Sequence, residues 1–196
     1  MTEHYYSEKP ESESRPHQFD FFVNGKTLRL TSDRGVFSKE GVDFGSRLLI
    51  ETFKPPKVEG AILDMGCGYG AIGLAIHTRF PEWDLTMVDV NERAVNLARL
   101  NAKNNGIDAM VRQSNLYENV EGRFACIVTN PPIRAGKRVI YSLFEGAKTR
   151  LLPGGELWIV IQKKQGALSA IKKLQALFEE VEIVAKKKGY YIIRSA

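Results

Sequence analysis

The chain has 196 residues, of which 43% are apolar, and its formal net charge is +5; this is enough for one domain with a hydrophobic core. No stretch approaches the roughly 20 consecutive apolar residues of a membrane span, and none has the basic and apolar regions of a secretory signal, so we expect a cytoplasmic protein. The two cysteines, Cys67 and Cys126, have the spacing of neither a metal knuckle nor a redox pair, and we predict no metal site.

The N-terminal part is predicted to be a flexible tail followed by a small extension. Residues 1–16 are polar and charged with little periodicity, which indicates a mobile segment. Two apolar-bearing runs, QFDFFV and KTLRL, flank Asn24-Gly25, the dipeptide that most strongly favours a two-residue β-hairpin turn. A helix is predicted at 46–53 and ends before Pro55-Pro56. Residues 17–56 therefore form a predicted hairpin and helix extension.

The remainder of the chain alternates between strand patterns and helix patterns. The predicted strands are AILDM, DLTMVDV, DAMVRQ, FACIVTN and ELWIVI, and the predicted helices are AIGLAIHTRF, ERAVNLARLNAKNN, RVIYSLFEGAKTRLL and GALSAIKKLQALF. This alternation predicts an α/β fold, in which a mostly parallel sheet has helices on both faces. Two closing runs, EEVEIVAKK and GYYIIR, are joined by a short Lys-Gly turn and predict an antiparallel pair.

The stretch ILDMGCGYGAIG at 62–73 is the first candidate binding site. It combines the end of a predicted strand, a turn with Gly66, Gly68 and Gly70, and the start of a predicted helix, which is the arrangement of a ligand-binding βα unit. GYGAIG also fits the dinucleotide fingerprint G-x-G-x-x-G. The glycines alone therefore leave open both a nicotinamide or flavin dehydrogenase and an enzyme that uses a methyl donor.

Polar residues at the predicted strand ends help to choose between these ligands. In an open α/β sheet, ligands bind outside the carboxyl ends of the strands. Of the predicted parallel strands, Asp64 is expected to end the first and Asp89 the second, Asn115 follows the third, and Asn130 is expected to end the fourth. A carboxylate at Asp64 would repel a pyrophosphate but suits the ammonium and sulfonium groups of S-adenosylmethionine. Asp89 is expected to bind ribose hydroxyls, which both kinds of ligand carry.

The segment TNPPIRAGK at 129–137 is the second candidate site. Pro131 and Pro132 make the backbone rigid and remove two amide donors at the end of a predicted strand. Their carbonyl oxygens are then left facing the crevice without nearby donors. Together with the side chain of Asn130, these oxygens form a place to hold an amine.

Several of these motifs resemble those of class I S-adenosylmethionine-dependent methyltransferases. DMGCGYG resembles their first motif and Asp89 their acidic second motif, while LLPGGELWIV and EIVAKKKGYYIIR resemble the entry to a late strand and the reversed last strand of their sheet. The resemblance implies a Rossmann-like sheet with a reversed last strand and a catalytic domain over residues 57–196. It also implies that the side chain of Asn130 and the carbonyl of Pro131 accept hydrogen bonds from a planar exocyclic amine.

Three stretches, GVFSKEGVDFGSRLLIE, NLYENVEGRF and NPPIRAGK, are together similar to the ribosomal RNA small-subunit methyltransferase C-like family, in a short single-domain branch. This resemblance implies methylation of the exocyclic amine (N2) of a guanine in small-subunit ribosomal RNA. The implied cofactor is S-adenosylmethionine, and the implied partner is ribosomal RNA or the small ribosomal subunit. Methylation of adenine N6 or of a protein glutamine amide stays open, as does an RNA-binding module without catalytic activity.

The resemblance implies two sets of site residues, and it also implies that Gly35 to Ser38 and Asp43 to Ser46 fold over the cofactor. The residues expected at the target amine are Asn130, Pro131, Pro132 and Ile133. The residues expected at the cofactor are Phe37, Ser38, Asp64, Gly66, Cys67, Gly68, Gly70, Asp89, Val90, Asn115, Leu116 and Asn130. Many related enzymes carry Phe or Tyr in place of Ile133, so stacking on a flipped base is left to Phe37 or Tyr141.

Positive charge is concentrated in the C-terminal part of the sequence. Residues 1–123 hold 15 Lys and Arg against 18 Asp and Glu, whereas residues 124–196 hold 13 against 5. The basic clusters lie at 134–138, 163–164, 172–173 and 186–188. They favour a polyanion such as RNA through contacts with its phosphates, and the alternative is a solvated lysine-rich face.

Overall fold

Nine strands and five helices make up the described part of this computed structural model, which comprises residues 13–36 and 41–196. The strands are β1 His17–Val23, β2 Lys26–Ser32, β3 Ile62–Met65, β4 Leu85–Asp89, β5 Met110–Gln113, β6 Phe124–Thr129, β7 Leu151–Gln162, β8 Val181–Lys187 and β9 Tyr190–Ser195. The helices are α1 Phe44–Thr52, α2 Ala71–His77, α3 Glu92–Asn104, α4 Lys137–Arg150 and α5 Ala167–Gln175. Short turns of 3-10 helix span Ile133–Ala135 and Lys163–Gln165.

Seven of the strands form the central sheet, in the order β5-β4-β3-β6-β7-β9-β8. Strands β3 to β7 are parallel to one another, while the last strand, β9, runs antiparallel to both β7 and β8. This topology confirms the predicted α/β fold, with its mostly parallel Rossmann-like sheet and reversed last strand. The strand order reverses between β3 and β6, and sheets of this kind bind ligands at such a reversal.

The two faces of the sheet bury two separate hydrophobic clusters. Alternate residues of β7 belong to different clusters: Trp158 and Val160 pack with α1, α2 and α3, whereas Leu157 and Ile159 pack with α4 and α5. Every residue of the central strands β3 and β6 is buried. Near-continuous apolar strands are typical of parallel sheets covered on both faces, so the helices lie on both faces as predicted.

The N-terminal hairpin forms as expected and is anchored to the helix α3. Asn24 and Gly25 have φ values of 53° and 74°, the paired positive φ angles of a tight hairpin turn. The buried side chain of Asn101 accepts a hydrogen bond from Thr31 N at 2.8 Å and donates to the carbonyl oxygens of Thr31 at 2.9 Å and Tyr69 at 2.8 Å. One amide therefore joins the hairpin, the helix α3 and the glycine turn that follows β3.

Part of the predicted tail lies outside the described residues, namely 1–12. Residues 13–16 are exposed and form no helix or strand. Even so, Ser14 Oγ and Arg15 N donate hydrogen bonds to the carboxylate of Asp33 at 2.7 Å and 2.6 Å. Among the helices of the described ranges, none has the length and apolar character that crossing a membrane requires.

Candidate active site

A cavity of about 300 Å³ opens at the carboxyl edge of the sheet, beside the reversal of strand order. Its walls come from the loops after β3, β4, β5 and β6 and from the N-terminal extension. The lining residues are Val36, Asp43, Ser46, Met65, Gly66, Cys67, Gly68, Tyr69, Ala71, Ile72, Asp89, Val90, Ala94, Ser114, Asn115, Leu116, Asn130, Pro131, Pro132, Ala135, Val139 and Leu143. Both candidate motifs of the sequence therefore meet in one cavity.

The glycine turn after β3 is shaped by its backbone angles. Gly66, Gly68 and Gly70 have φ values of 70°, 56° and 92°, a region that is strained for residues with a side chain. Gly66 and Gly68 line the cavity. Gly70, predicted at the cofactor, does not line it: a Cβ there would point into the core, 3.2 Å from Leu74 and Met87. The role of Gly70 is thus to turn the chain into the helix α2.

Asp89 at the end of β4 holds the glycine turn in place while it faces the cavity. Its Oδ2 accepts a hydrogen bond from Gly68 N at 2.8 Å, and its Oδ1 accepts one from Asn91 N at 2.9 Å. Burial raises the pKa of Asp89, and hydrogen bonds from the N–H groups of Asn91, Gly68 and Val90 oppose that shift. Because each carboxylate oxygen accepts more than one hydrogen bond, Asp89 retains acceptor capacity toward a ligand.

The structure corrects the expectation that Asp64 ends the first strand of the sheet and faces the ligand. Met65 ends that strand, and Asp64 is fully buried outside the lining of the cavity. Its Oδ2 accepts a hydrogen bond from Gly73 N in the first turn of α2 at 2.8 Å, and a Cβ on Gly73 would lie only 3.0 Å from the Asp64 side chain. Side chains alternate across a strand, so Asp64 lies under the helix α2, whose N-cap, Gly70, has no side chain of its own.

The burial of Asp64 predicts that the free energy of unfolding falls as the pH rises. Burial raises its pKa from 3.8 to about 7; the Gly73 N–H opposes the shift and the charge of Asp89 adds to it. Because the folded chain holds this proton more tightly than the unfolded chain, the stabilising contribution is complete below about pH 4 and is lost as the pH rises through about 7. The variant Asp64→Asn keeps an acceptor for the Gly73 N–H but cannot titrate, so this decrease in the free energy of unfolding should be absent from it.

The measurement is urea unfolding of both proteins at about pH 5 and about pH 8. The free energy of unfolding of the wild type should fall more than that of Asp64→Asn, by at least about 1.4 kcal/mol, the equivalent of one pKa unit. The exposed Asp108→Asn is the matched control and should follow the wild type. An equal decrease in the free energy of unfolding between the two pH values for the wild type and Asp64→Asn would contradict the prediction.

Cys67 lines the cavity as a neutral thiol. Burial raises its pKa well above the ordinary value, and the nearby carboxyls of Asp89 and Asp64 raise it further. Its Sγ donates a hydrogen bond to the carbonyl oxygen of Gly68 at 3.4 Å. A thiol must ionise to act as a nucleophile, so the geometry gives Cys67 a place in the wall of the cavity rather than a covalent role.

Within residues 13–36 and 41–196, no group of three or more His, Cys, Asp or Glu side chains is arranged to hold a metal ion.

Asn130 follows β6 directly and places its side-chain amide in the cavity. Its Nδ2 donates a hydrogen bond to Ser46 Oγ on the helix α1 at 3.1 Å. Within the described ranges, no donor reaches the side-chain oxygen of Asn130. The strand end is itself fixed, because Thr129 Oγ1 donates to the carbonyl oxygen of Met65 at 2.7 Å. One face of the Asn130 amide is thus held by α1, and its oxygen is left as an acceptor.

The two prolines after Asn130 differ in the state of their carbonyl oxygens. The oxygen of Pro132 accepts a hydrogen bond from Ala135 N at 2.9 Å, within the 3-10 turn Ile133–Ala135. By contrast, no N–H or O–H group from the described ranges bonds to the Pro131 oxygen. Pro131 and Pro132 line the cavity, but Ile133 does not; it packs against the cluster formed by α4 and α5. Ile133 thus lies outside the cavity lining, and its contact with the substrate stays a prediction.

The other predicted site residues are distributed as follows. Val90, Asn115 and Leu116 lie in the wall of the cavity. Phe37 and Ser38 fall outside the described residues. Tyr141, one of the two candidates for stacking on a base, lies away from the cavity, where its hydroxyl donates to the carbonyl oxygen of Ser169 at 3.3 Å.

Several lining residues were not predicted individually from the sequence. Ser46 is the most informative of them, because it bonds to Asn130. A signal for its position did exist: Asp43 accepts a hydrogen bond from Ser46 N at 3.1 Å as the N-cap of α1, and Asp is a favoured N-cap residue. The sequence gives no indication that apolar residues such as Val139 and Leu143 line the cavity, because their spacing is the same as that of ordinary core residues.

Comparisons with known proteins identify the family of this chain. The model of the methyltransferase small domain family matches residues 27–194. The chain is 57% identical to a Bacillus subtilis (strain 168) protein named Uncharacterized protein YbxB, over 100% of this chain and 98% of that protein. It is 34% identical to ribosomal RNA small subunit methyltransferase C of Salmonella newport (strain SL254), over 90% of this chain and 51% of that protein.

A solved structure supports the same relationship. The 16S rRNA N2 methyltransferase RsmC of T. thermophilus, in complex with AdoMet and guanosine, superposes on this chain with a TM-score of 0.81 at 27% identity. The match covers 92% of this chain and 50% of that one, so the chain spans about half the length of the RsmC and methyltransferase C relatives. With the family model matching most of the sequence and the fold agreeing, the chain belongs to the methyltransferase small domain family.

Proposed function

We propose that this chain transfers a methyl group from S-adenosylmethionine to the exocyclic amine of a purine in RNA, namely N2 of a guanine in small-subunit ribosomal RNA. One observation carries the proposal. A single cavity is lined on one side by the glycine turn and Asp89, and on the other by Asn130 and Pro131, whose oxygens accept no bond from the described residues. The first side suits a nucleoside with a diol, and the second suits an amine.

The residues on the first side fit S-adenosylmethionine. The carboxylate of Asp89 can accept hydrogen bonds from the two ribose hydroxyls, and the apolar side chains of Val90 and Leu116 can cover the adenine ring. Asn115 can supply polar contacts at the edge of that ring. We further propose that the extension, residues 17–56, covers the cofactor, since Val36, Asp43 and Ser46 line the cavity. The cofactor supplies an electrophilic methyl group on its sulfonium.

The residues on the second side position the amine for in-line attack. The side-chain oxygen of Asn130 and the carbonyl oxygen of Pro131 would accept the two N–H groups of a planar amine, which directs the nitrogen lone pair toward the methyl group. The amine loses its proton once the nitrogen has become cationic, so a strong base is not required. Catalysis would depend mainly on proximity and alignment, which supply large rate factors when the reacting atoms are held about 3 to 3.5 Å apart.

The choice of guanine in ribosomal RNA comes from the relatives, which are named ribosomal RNA small subunit methyltransferase C or were solved with guanosine. Adenine N6 and a glutamine amide also present two N–H groups, so the two acceptor oxygens do not by themselves exclude these substrates. A test of the proposal therefore has to identify the methylated group.

The deciding experiment combines cofactor binding with substrate identification. Calorimetry should show binding of S-adenosylmethionine and its demethylated product but not of NAD. Radiolabelled methyl donor should then label small-subunit ribosomal RNA, naked or assembled, and mass spectrometry of digested RNA should identify N2-methylguanosine. Label in protein or DNA instead of RNA would refute the RNA assignment, and binding of NAD alone would refute the methyl-transfer proposal altogether.

Ser46 should act as a positioning residue for Asn130. Its buried hydroxyl accepts a hydrogen bond from the half-buried Asn130 amide at 3.1 Å, in the wall of the cavity. Without this bond the amide can rotate and present N–H groups to the amine, so Ser46→Ala should lower kcat by about 10-fold. In an Asn130→Ala background the same change should have almost no effect, because coupled residues are not additive.

A double-mutant cycle of kcat tests this coupling. Ser46→Thr keeps the hydroxyl and should restore most of the activity. Ser169→Ala, which removes a serine hydroxyl outside the cavity, is the control and should match the wild type. Equal losses from Ser46→Ala in the wild-type and Asn130→Ala backgrounds would show that Ser46 acts independently of Asn130.

A further inference from the structure

Three chain segments meet at the carboxyl edge of the sheet, next to the cavity. β6 and β7 are parallel, so the segment 131–141 after β6 and the segment 162–166 after β7 leave the same edge. The turn between β8 and β9 reaches that edge too, because Gln162 pairs with Tyr190 and Lys163 N donates to the carbonyl oxygen of Gly189 at 2.8 Å. The segment 184–191 therefore lies beside the other two.

These segments carry eight exposed cationic side chains and no acidic residue. We call this group the cationic edge. Its members are Arg134, Lys137, Arg138, Lys163, Lys164 and the lysines at 186–188. The ion pairs found within residues 13–36 and 41–196 involve none of them. Their charge is therefore available to an external anion.

The charge changes sign across the mouth of the cavity. Residues 89–95 and 114–123, at the end of β4 and after β5, hold four acidic and two basic residues, whereas the cationic edge, at the ends of β6, β7 and β8, holds only basic ones. Arg134 lies between Pro132 and Ala135, which both line the cavity. An anion bound along the cationic edge would thus reach the rim of the cavity on the side of Asn130.

Aromatic rings are interleaved with these cations. Lys188 Nζ lies 4.9 Å from the ring centroid of Phe44, which in turn is 5.5 Å from the ring of Tyr190. Lys137 Nζ lies 5.2 Å from the ring centroid of Tyr141. A positive track combined with half-buried aromatic rings is the combination that single-stranded nucleic acids bind, through their phosphates and their bases.

We propose that the cationic edge binds the phosphates of the RNA strand that carries the target base and leads that base to Asn130. The inference rests on the proposed function, because it assumes that the acceptor of the methyl group is RNA. The edge crosses from β6 over β7 and β9 to β8, three strand spacings or about 14 Å. At about 3.4 Å for each nucleotide, the axial rise of a base-stacked strand, this length accommodates roughly four stacked nucleotides and fewer in an extended strand.

The test compares the RNA affinity of a variant that lacks three lysines of the cationic edge with that of a variant that lacks three lysines elsewhere. The edge variant is Lys163→Gln, Lys164→Gln and Lys187→Gln. The control variant is Lys54→Gln, Lys57→Gln and Lys103→Gln, which changes exposed lysines at the opposite, amino edge of the sheet. The probe is a fluorescently labelled RNA stem-loop of about 30 nucleotides with guanines in its loop, and its Kd is measured by anisotropy at roughly 50 to 200 mM KCl.

The edge variant should bind the probe about 10- to 100-fold more weakly than the wild type at 100 mM KCl. The slope of log K against log salt concentration should also become shallower by about 2 to 3, because each lost phosphate contact contributes roughly 0.7 to 0.9. The control variant should match the wild type in both respects, and all three proteins should bind S-adenosylmethionine equally by calorimetry.

Equal weakening of the edge and control variants, or no weakening of either, would overturn the proposal. Competition by a polyglutamate of similar length, as effective as unlabelled RNA, would also overturn it in favour of an acidic protein partner. Failure of the proposed function gives a different result: the wild type then binds no S-adenosylmethionine, while the comparison of RNA affinities still decides whether the cationic edge is an RNA surface.

Discussion

Replacing Asn130 with Ala should lower kcat for methyl transfer by about 100-fold or more while the Kd for S-adenosylmethionine changes less than about threefold. The side chain supplies one of the two acceptor oxygens that would orient the amine, and its Nδ2 is already held by Ser46 at 3.1 Å. Loss of this orientation affects the alignment of the reacting atoms. It should leave the glycine turn and Asp89 unchanged, since these form the other side of the cavity.

Single-turnover methylation at saturating donor and RNA, together with calorimetry of donor binding, separates these effects. Asn104→Ala changes an exposed asparagine at the end of α3 and serves as the matched control, with kcat expected at the wild-type value. Unchanged turnover in Asn130→Ala would remove the basis for an amine acceptor. A loss of donor affinity as large as the loss of kcat would show that Asn130 mainly supports the cofactor site.

Replacing Asp89 with Ala should raise the Kd for S-adenosylmethionine by about 100-fold. The variant loses the carboxylate that would bind the ribose diol, and hydrogen bonds to charged groups contribute about 1.5 to 3 kcal/mol each. In the wild type, the N–H groups of Gly68 and Asn91 donate hydrogen bonds to Asp89 at 2.8 Å and 2.9 Å. The substitution also removes this acceptor from both groups. Both effects weaken the same site, so a binding measurement alone does not separate them.

A ligand analogue separates contact with the ribose from support of the turn. In the wild type, the 2′-deoxy analogue of the demethylated product should bind at least about 10-fold more weakly than the product itself. In Asp89→Ala this difference should nearly vanish, because the partner of the hydroxyl is absent. Asp84→Ala, which changes an exposed residue immediately before β4, should retain the full difference. An undiminished difference in Asp89→Ala would show that Asp89 does not bind the ribose.

The sequence predicted those features of the fold that depend on local chemistry. The hairpin follows from Asn24-Gly25, and the alternation of strands and helices follows from the spacing of apolar residues. The common location of Asp89 and Asn130 followed from a general rule, because the carboxyl ends of parallel strands share one edge of the sheet. These inferences required no knowledge of which helix packs on which face.

The errors concern orientations that tertiary packing decides. Asp64 was expected to face the ligand, but the face of β3 that carries it is covered by the helix α2, and the carboxylate bonds to Gly73. Gly70 and Ile133 were placed at ligands by the family resemblance; both lie outside the lining of the cavity, Gly70 facing Leu74 and Met87 and Ile133 packing against the cluster of α4 and α5, and their contacts with ligands stay predictions. The bond between Asn130 and Ser46 joins residues 84 positions apart, so no local pattern predicts it.

The hydrogen bonds of Asn101 also bear on how the fold opens. This buried amide bonds to the hairpin at Thr31 and to the glycine turn at Tyr69. Separating either partner leaves buried polar groups unpaired, which costs about 1 to 3 kcal/mol for each group. The hairpin and the turn should therefore detach from the core together, as one foldon. A ligand that stabilises the glycine turn should then also slow hydrogen exchange of the backbone amides in the hairpin. The stability of β1 and β2 is in this way coupled to the occupancy of the cavity.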